Sequence, residues 1–147
     1  METRFNMAAV QPAAYTAMIA LDDYAVSTAV PQLQKEMIKI RASQVNGCAY
    51  CVNMHVNDAR KLGEVEQRIH LISVWREAGD IFTEEEQLIL AITEEITLIS
   101  QHGLSDSLYN KAIAIMGKEK TAQVIMNIIT INAWNRIGVA LKMHPKI

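Results

Sequence analysis

Cys48 and Cys51 are the only cysteines of the chain, and His55 follows them in the run Gly47-Cys48-Ala49-Tyr50-Cys51-Val52-Asn53-Met54-His55. Two thiols at Cys-x-x-Cys spacing can close a small disulfide ring across one helical turn and so store and release two electrons. An imidazole one turn further along can take or give the proton that this exchange needs. At 100° per residue the three side chains fall within about 60° of one another, on one side of a helix. Cys48 stands near the helix start, where unpaired N–H groups and the positive end of the macrodipole stabilise a thiolate. His55 lies one turn from Cys51 and two from Cys48, so Cys51 is the thiol it reaches more easily. These residues point to thiol redox chemistry.

Glu36 is the other candidate. On the preceding helix it falls about 40° from Ile40, at the edge of the apolar face. The Asn46-Gly47 turn folds that helix back toward the one carrying the cysteines. A partly buried carboxylate near His55 would orient the imidazole and receive its proton. Burial is expected to raise the carboxyl pKa, so that it cycles its proton near neutrality.

The elements that hold these residues are helical. Half of the residues are apolar, aromatics make up only 5%, and six glycines and three prolines are the only strong breakers. Helix formers dominate and alternating β-rich runs are missing, so the fold is expected to be all-α, as one domain over residues 1–147. A first helix is expected over 13–27. A second opens at Pro31, whose missing N–H is not needed in a first turn, and runs to about Asn46. Asn46-Gly47 breaks it, and Cys48 opens a third that ends near Gly63. A short fourth covers 65–77. Thr83-Glu84-Glu85-Glu86 is a capping box that launches a fifth to about Gln101. Ser105 caps a sixth to Met116, and Gly117 separates it from the last, about Lys118 to Lys142.

On a helical wheel the last helix is apolar nearly all round. Val124, Ile128 and Ile131 lie on one side, Trp134 and Leu141 on another, and Ile129, Ala133 and Ile137 opposite. Such a helix is buried on several sides. We expect a subunit interface here, with Ile128, Trp134 and Ile137 among the hidden residues; the other reading is a central core helix.

Several classes are disfavoured. A net charge of −2 with interspersed signs leaves no basic stripe for nucleic acid. No basic n-region precedes an apolar stretch, and no window of about twenty residues is free of charged and amide side chains, so neither a signal peptide nor a membrane span is expected. A cytoplasmic location follows, where a close cysteine pair is more often catalytic or metal-binding than structural. A zinc site would use Cys48, Cys51 and His55, with His70, His102 or His144 as a fourth ligand. Structural zinc sites draw on two segments, and no second pair exists here. A helical oligomer with inert buried cysteines is the third class. Outside the cysteine motif, His70 is read as a core or interface residue, His102 as a helix cap and His144 as exposed. Trp75 and Trp134 are read as packing anchors, and Met54 as a wall of a substrate pocket.

Glu36, eleven intervening residues, Cys48-x-x-Cys51, three more and His55 together resemble the active-site pattern of the AhpD-like alkylhydroperoxidases, within the carboxymuconolactone decarboxylase superfamily. Arg41 to Cys51, Ala59 to Glu64, Trp75 to Ala78 and Ile131 to Arg136 are similar to that family's core, over roughly residues 14–142. The resemblance implies an all-helical fold that assembles as homo-trimers or hexamers. It also implies thiol-dependent peroxide reduction through Glu36, Cys48, Cys51 and His55, with a Cys48–Cys51 redox disulfide. No bound cofactor or metal is implied; an external lipoyl-type dithiol or a disulfide reductase would supply electrons. Within that reading Cys51 is the peroxidatic thiol, being nearer His55, and Cys48 resolves. In thioredoxin-like motifs the first cysteine is the nucleophile, and that order stays open. Tyr50 stands where the best-known AhpD peroxidases have a histidine. It can donate a hydrogen bond in support but does not carry protons near pH 7. The decarboxylases lack the cysteine pair, so decarboxylation fits this chain poorly.

Overall fold

A computed structural model describes residues 2–145. Among them the elements are helical: α1 (Met7–Val10), α2 (Pro12–Ser27), α3 (Gln32–Val45), α4 (Ala49–Lys61), α5 (Glu66–Leu71), a 3₁₀ segment (Ile72–Glu77), α6 (Glu84–Thr97) and α7 (Asp106–Ala140). The expected capping box is present: Thr83 Oγ1 accepts from the Glu86 amide (3.2 Å) and Glu86 Oε2 accepts from the Thr83 amide (2.8 Å). The Ser105 hydroxyl accepts from the Leu108 amide and starts α7. Gly117, at φ 74° and ψ 170°, interrupts α7 where two separate helices were expected.

Two expected helices are corrected, and one further turn of helix appears. The helix over 65–77 relaxes to 3₁₀ after Leu71, with Val74 outside helical geometry (φ −126°). α6 stops at Thr97, short of Gln101. Asn6 caps a one-turn α1 that no apolar periodicity announces, since none of its residues is buried. α7 supplies the core from one side, while Ile129 and Val139 on its other sides stay exposed. Val124, Ile128 and Ile131 pack into one apolar cluster with Ile38 and Ile40 of α3 and Leu88, Ile89 and Ile92 of α6. Trp134 and Ile137 are half-buried against this chain's own residues. α2, α3, α4 and α6 pack on α7, but Ile129 (43% exposed) and Val139 (48% exposed) show that the chain's own helices leave part of its apolar surface uncovered.

α3 is enclosed as well, and it carries two charges inward. Lys35 is 1% exposed, and its Nζ donates to the Val26 and Thr28 carbonyls (2.5 and 2.8 Å). A cation there satisfies the open C-terminal end of α2. Across the core, Glu94 of α6 accepts from Arg41, Trp75 and Arg76. Burial pushes its carboxyl up, but the bonds from Trp75, Arg76 and Arg41 outweigh that and hold it below the usual range. A carboxyl lowered on folding contributes stability above its unfolded value, about 4.3, that is lost as pH falls through the folded value. We expect a melting temperature that is flat from neutrality to about pH 5 and falls below about pH 4. Glu94→Gln should flatten the acid limb; an unchanged limb would remove Glu94 from the account.

Candidate functional site

Cys48 belongs to two helices. α3 ends in a Schellman turn in which Gly47 takes φ 68°, its amide bonding Gln44 O (3.2 Å), while the Cys48 amide bonds Ser43 O (3.0 Å). Cys48 is then the N-cap of α4, its sulfur accepting from the Cys51 amide at 3.3 Å. A residue with a Cβ at position 47 would be strained, so the glycine sets where the first sulfur lies. Behind this joint, Asn46 Nδ2 donates to Asn132 (3.0 Å) and Asn135 (2.9 Å), and Asn135 donates to Ser43 Oγ (2.9 Å). The turn that presents the cysteines is thereby fastened to α7.

The two sulfurs are joined in a disulfide, S–S 2.05 Å. Both cysteines are buried, at 2% and 3% exposure. Gly138 of α7 lies against them: a Cβ there would sit 3.0 Å from Cys48 Sγ and 3.4 Å from Cys51 Sγ. The sequence analysis passed over Gly138, although a lone glycine inside a helical pattern signals a close approach of this kind.

Glu36 and His55 meet. His55 Nδ1 is 2.9 Å from Glu36 Oε2, and Lys39 Nζ is 2.9 Å from Glu36 Oε1. Both members of the pair are buried. The expected direction of the Glu36 pKa is corrected. Burial does push it up, but the hydrogen bond from His55 and the Lys39 charge outweigh that and hold the carboxyl below its usual range. Glu36 therefore stays ionised at neutral pH and accepts. His55 must place its hydrogen on Nδ1, which leaves Nε2 with the basic lone pair. Glu36 thereby orients the imidazole and fixes its tautomer. Lys39, one turn from Glu36, contributes a charge that the sequence reading missed.

A cavity of about 540 Å³ opens beside His55 and Lys39. α4 supplies Tyr50, Cys51, Met54 and His55 to its wall, α7 supplies Trp134 and Gly138, and α2 supplies Tyr15 and Ile19. The N-terminal arm closes one side, pinned by the Arg4 amide on Leu141 O (3.0 Å) and the Arg4 guanidinium on Ala140 O (3.0 Å). Cys48 does not line this cavity. It faces a separate recess of about 240 Å³ beside Val139, Lys142 and His144, and Gly138 and Met143 line both.

The other expected residues fall as follows. Met54 is a cavity wall. Trp75 is a buried anchor through Glu94, while Trp134 packs edge-on to Tyr15 (5.5 Å) and donates to Asp22 (3.2 Å), serving both packing and the cavity. His70 is corrected: its side chain is 71% exposed and pairs with Glu66 on the surface. His102 bonds Gly103 O beyond α6, and His144 is exposed. Of the metal-ligand types, Glu36, His55 and Asp58 are the described residues whose ligating atoms gather within 4.8 Å. Glu36 and His55 are already bonded to each other there.

Residues 12–95 match the model of the carboxymuconolactone decarboxylase family. The uncharacterised protein YdfG of Bacillus subtilis is 37% identical over 141 residues, 96% of this chain and 95% of that protein. The crystal structure of a protein of unknown function from Agrobacterium tumefaciens, proposed as the antioxidant defence protein AhpD, superposes with a TM-score of 0.95. It is 37% identical and covers 99% of each chain. An uncharacterised peroxidase-related protein from Ralstonia eutropha with an alkylhydroperoxidase AhpD core superposes at 0.81 over 95% of this chain and 74% of its own, at 17% identity, and so shows the fold alone. The chain thus belongs to the carboxymuconolactone decarboxylase family, among its AhpD-like members.

Proposed function

We propose that this chain is a thiol-dependent peroxidase that reduces hydroperoxides through Cys48 and Cys51. The observation that carries the reading is His55, buried, held by Glu36 and lining the cavity that Cys51 also lines. His55 Nε2 takes the Cys51 thiol proton, and the thiolate attacks one peroxide oxygen. The O–O bond breaks, Cys51 becomes a sulfenic acid, and the proton returns to the leaving oxygen as alcohol, or as water from hydrogen peroxide. Cys48 then attacks Cys51 sulfur, water leaves, and the disulfide closes. An external dithiol reduces it, becoming a disulfide in turn. The division of roles is supported by placement: Cys51 lines the larger cavity with His55, and Cys48 lines the other recess. Tyr50 supports a second reading, a disulfide oxidoreductase with little peroxide chemistry, because a phenol carries no proton near pH 7. Peroxide-dependent oxidation of a dithiol by the pure protein decides between them. Turnover supports the peroxidase; disulfide exchange alone supports the other.

No helix among the described residues is long and apolar enough to cross a membrane. A reducing compartment such as the cytoplasm would keep the pair as thiols at rest. We also propose a homo-oligomer, trimeric or hexameric, with α2 on its interface. Only Ala25 of the sixteen residues of α2 is buried, yet the helix displays Ile19, Tyr24 and Val26. A permanent interface buries well over about 1,000 Å² with a core-like composition. Tyr24→Asp should give smaller species by light scattering. A parent that is monomeric at micromolar concentration would sink the assembly.

A further inference from the structure

Asn127 is a buried polar group that the redox relay leaves unused. It stands on α7, 1% exposed, and lines the same cavity as Cys51 and His55. Its amide nitrogen donates to Thr28 Oγ1 (3.1 Å) and to the Gln123 carbonyl (2.8 Å). The Thr28 hydroxyl spends its own hydrogen on Ala25 O (2.8 Å), so toward Asn127 it can only accept. Two acceptors fix the amide: the nitrogen faces them and the oxygen turns away. That oxygen, Oδ1, is buried and has no hydrogen-bond partner. Buried carbonyls are rarely left so, and one in a cavity wall asks for a donor.

Its place along α7 sets the geometry. Asn127, Ile131, Trp134 and Gly138 recur at helical spacing and all line the cavity. Eleven residues at 1.5 Å each put Asn127 about 16 Å along the axis from Gly138, the residue that touches both sulfurs. Between the ends lie Ile131 and the Trp134 ring. Reacting sulfur stands at one end, apolar wall in the middle, and a lone acceptor at the other end. An acceptor welcomes O–H and repels a carboxylate placed against it; the wall as a whole carries charges of both signs, Asp22 and Asp58 against Lys39, so the contact at Oδ1 and not a net field makes the distinction.

We propose that Asn127 selects the oxidant: a neutral, elongated aliphatic hydroperoxide whose far end carries a hydroxyl, received by Asn127 Oδ1 while the O–O bond lies at Cys51. The span corresponds to a chain of roughly eight to twelve carbons. This rests on the peroxidase reading, with Cys51 as the reacting thiol. Hydrogen peroxide is too small to reach both ends, and a fatty-acid hydroperoxide would set a carboxylate against the Asn127 oxygen.

The test uses three decyl hydroperoxides that end in a hydroxyl, a methyl or a carboxylate. Single-turnover closure of the disulfide is followed in the pre-reduced protein. We expect the hydroxyl compound to exceed the methyl compound by about tenfold or more in kcat/KM, through KM, with the carboxylate slowest. In Asn127→Leu the hydroxyl-to-methyl ratio should fall to about one. Equal rates for hydroxyl and methyl in the parent protein overturn the proposal whether or not the variant folds, since a water would then satisfy Oδ1. If no hydroperoxide closes the disulfide, the peroxidase reading falls instead. Binding of 1,10-decanediol against 1-decanol, read by tryptophan fluorescence, then still decides whether the cavity selects a terminal hydroxyl. Equal affinities there overturn the selection too.

Discussion

Cys51→Ser is expected to abolish peroxide-driven oxidation of a dithiol, by a factor of at least about a thousand. A serine hydroxyl at that position has neither the nucleophilicity of a thiolate nor a route to sulfenic acid. His55 would still be held by Glu36, and the cavity would still admit the peroxide, so binding should survive while chemistry stops. Cys48→Ser should behave differently. Cys51 still reacts once, but nothing within the chain condenses with the sulfenic acid, because the chain has no third cysteine. Mass spectrometry after one equivalent of hydroperoxide should show a gain of one oxygen in Cys48→Ser, no change in Cys51→Ser and a loss of two hydrogens in the parent. Excess peroxide should carry Cys48→Ser on to sulfinic and sulfonic acids. The opposite pattern, with the oxygen gained in Cys51→Ser, would make Cys48 the peroxidatic thiol. It would place the attack in the smaller recess beside Val139 and Lys142, where the helix N-terminus and not His55 activates the sulfur.

How far the sequence reveals this site depends on how local each interaction is. The Cys48–Cys51–His55 face follows from helical periodicity alone, and the capping box at Thr83 and the break at Gly47 follow from residue type at a fixed offset. Glu36 is legible as a place on the edge of α3, and the short turn to α4 brings it to His55. Its protonation is not legible. The sign of its shift depends on Lys39 and on the donor hydrogen of His55, and their combined effect exceeds that of burial only in the folded geometry. α7 is only half legible for a related reason. Apolar residues all round say that the helix is enclosed, but not whether its own chain or a second copy encloses it. Here α2, α3, α4 and α6 cover part of it, and Ile129 and Val139 stay exposed. α2 displays apolar residues as well, although its alanine-rich sequence shows no amphipathic stripe. His70 misleads because it sits between Ile69 and Leu71 in the chain yet projects outward to Glu66. Gly138 and Asn127 answer to partners distant in sequence, the sulfurs and Thr28, and so are visible only in three dimensions.

His55→Ala is expected to slow oxidation of the reduced pair by about a hundredfold at neutral pH, the usual contribution of a positioned general base. Glu36→Gln should slow it less, by about tenfold, because an amide still bonds Nδ1 but no longer supplies the charge that fixes the tautomer and stabilises the imidazolium. The structure makes a sharper demand on the pair. Glu36 touches Lys39 and His55, so its effect on the thiol passes through the imidazole. Glu36→Gln introduced into His55→Ala should therefore cost almost nothing further, and the double variant should react no more than about twofold slower than His55→Ala. Losses that multiply, about a thousandfold in the double variant, would show Glu36 acting on the peroxide or the sulfur by another route. The melting temperature separates chemistry from folding here. Glu36 is buried and its removal leaves Lys39 without its carboxylate, so some loss of stability is expected in Glu36→Gln. That loss persists in the double variant even where the kinetic effect does not. Two quantities measured on the same four proteins, one coupled and the other not, would mark Glu36 as a positioning residue for His55.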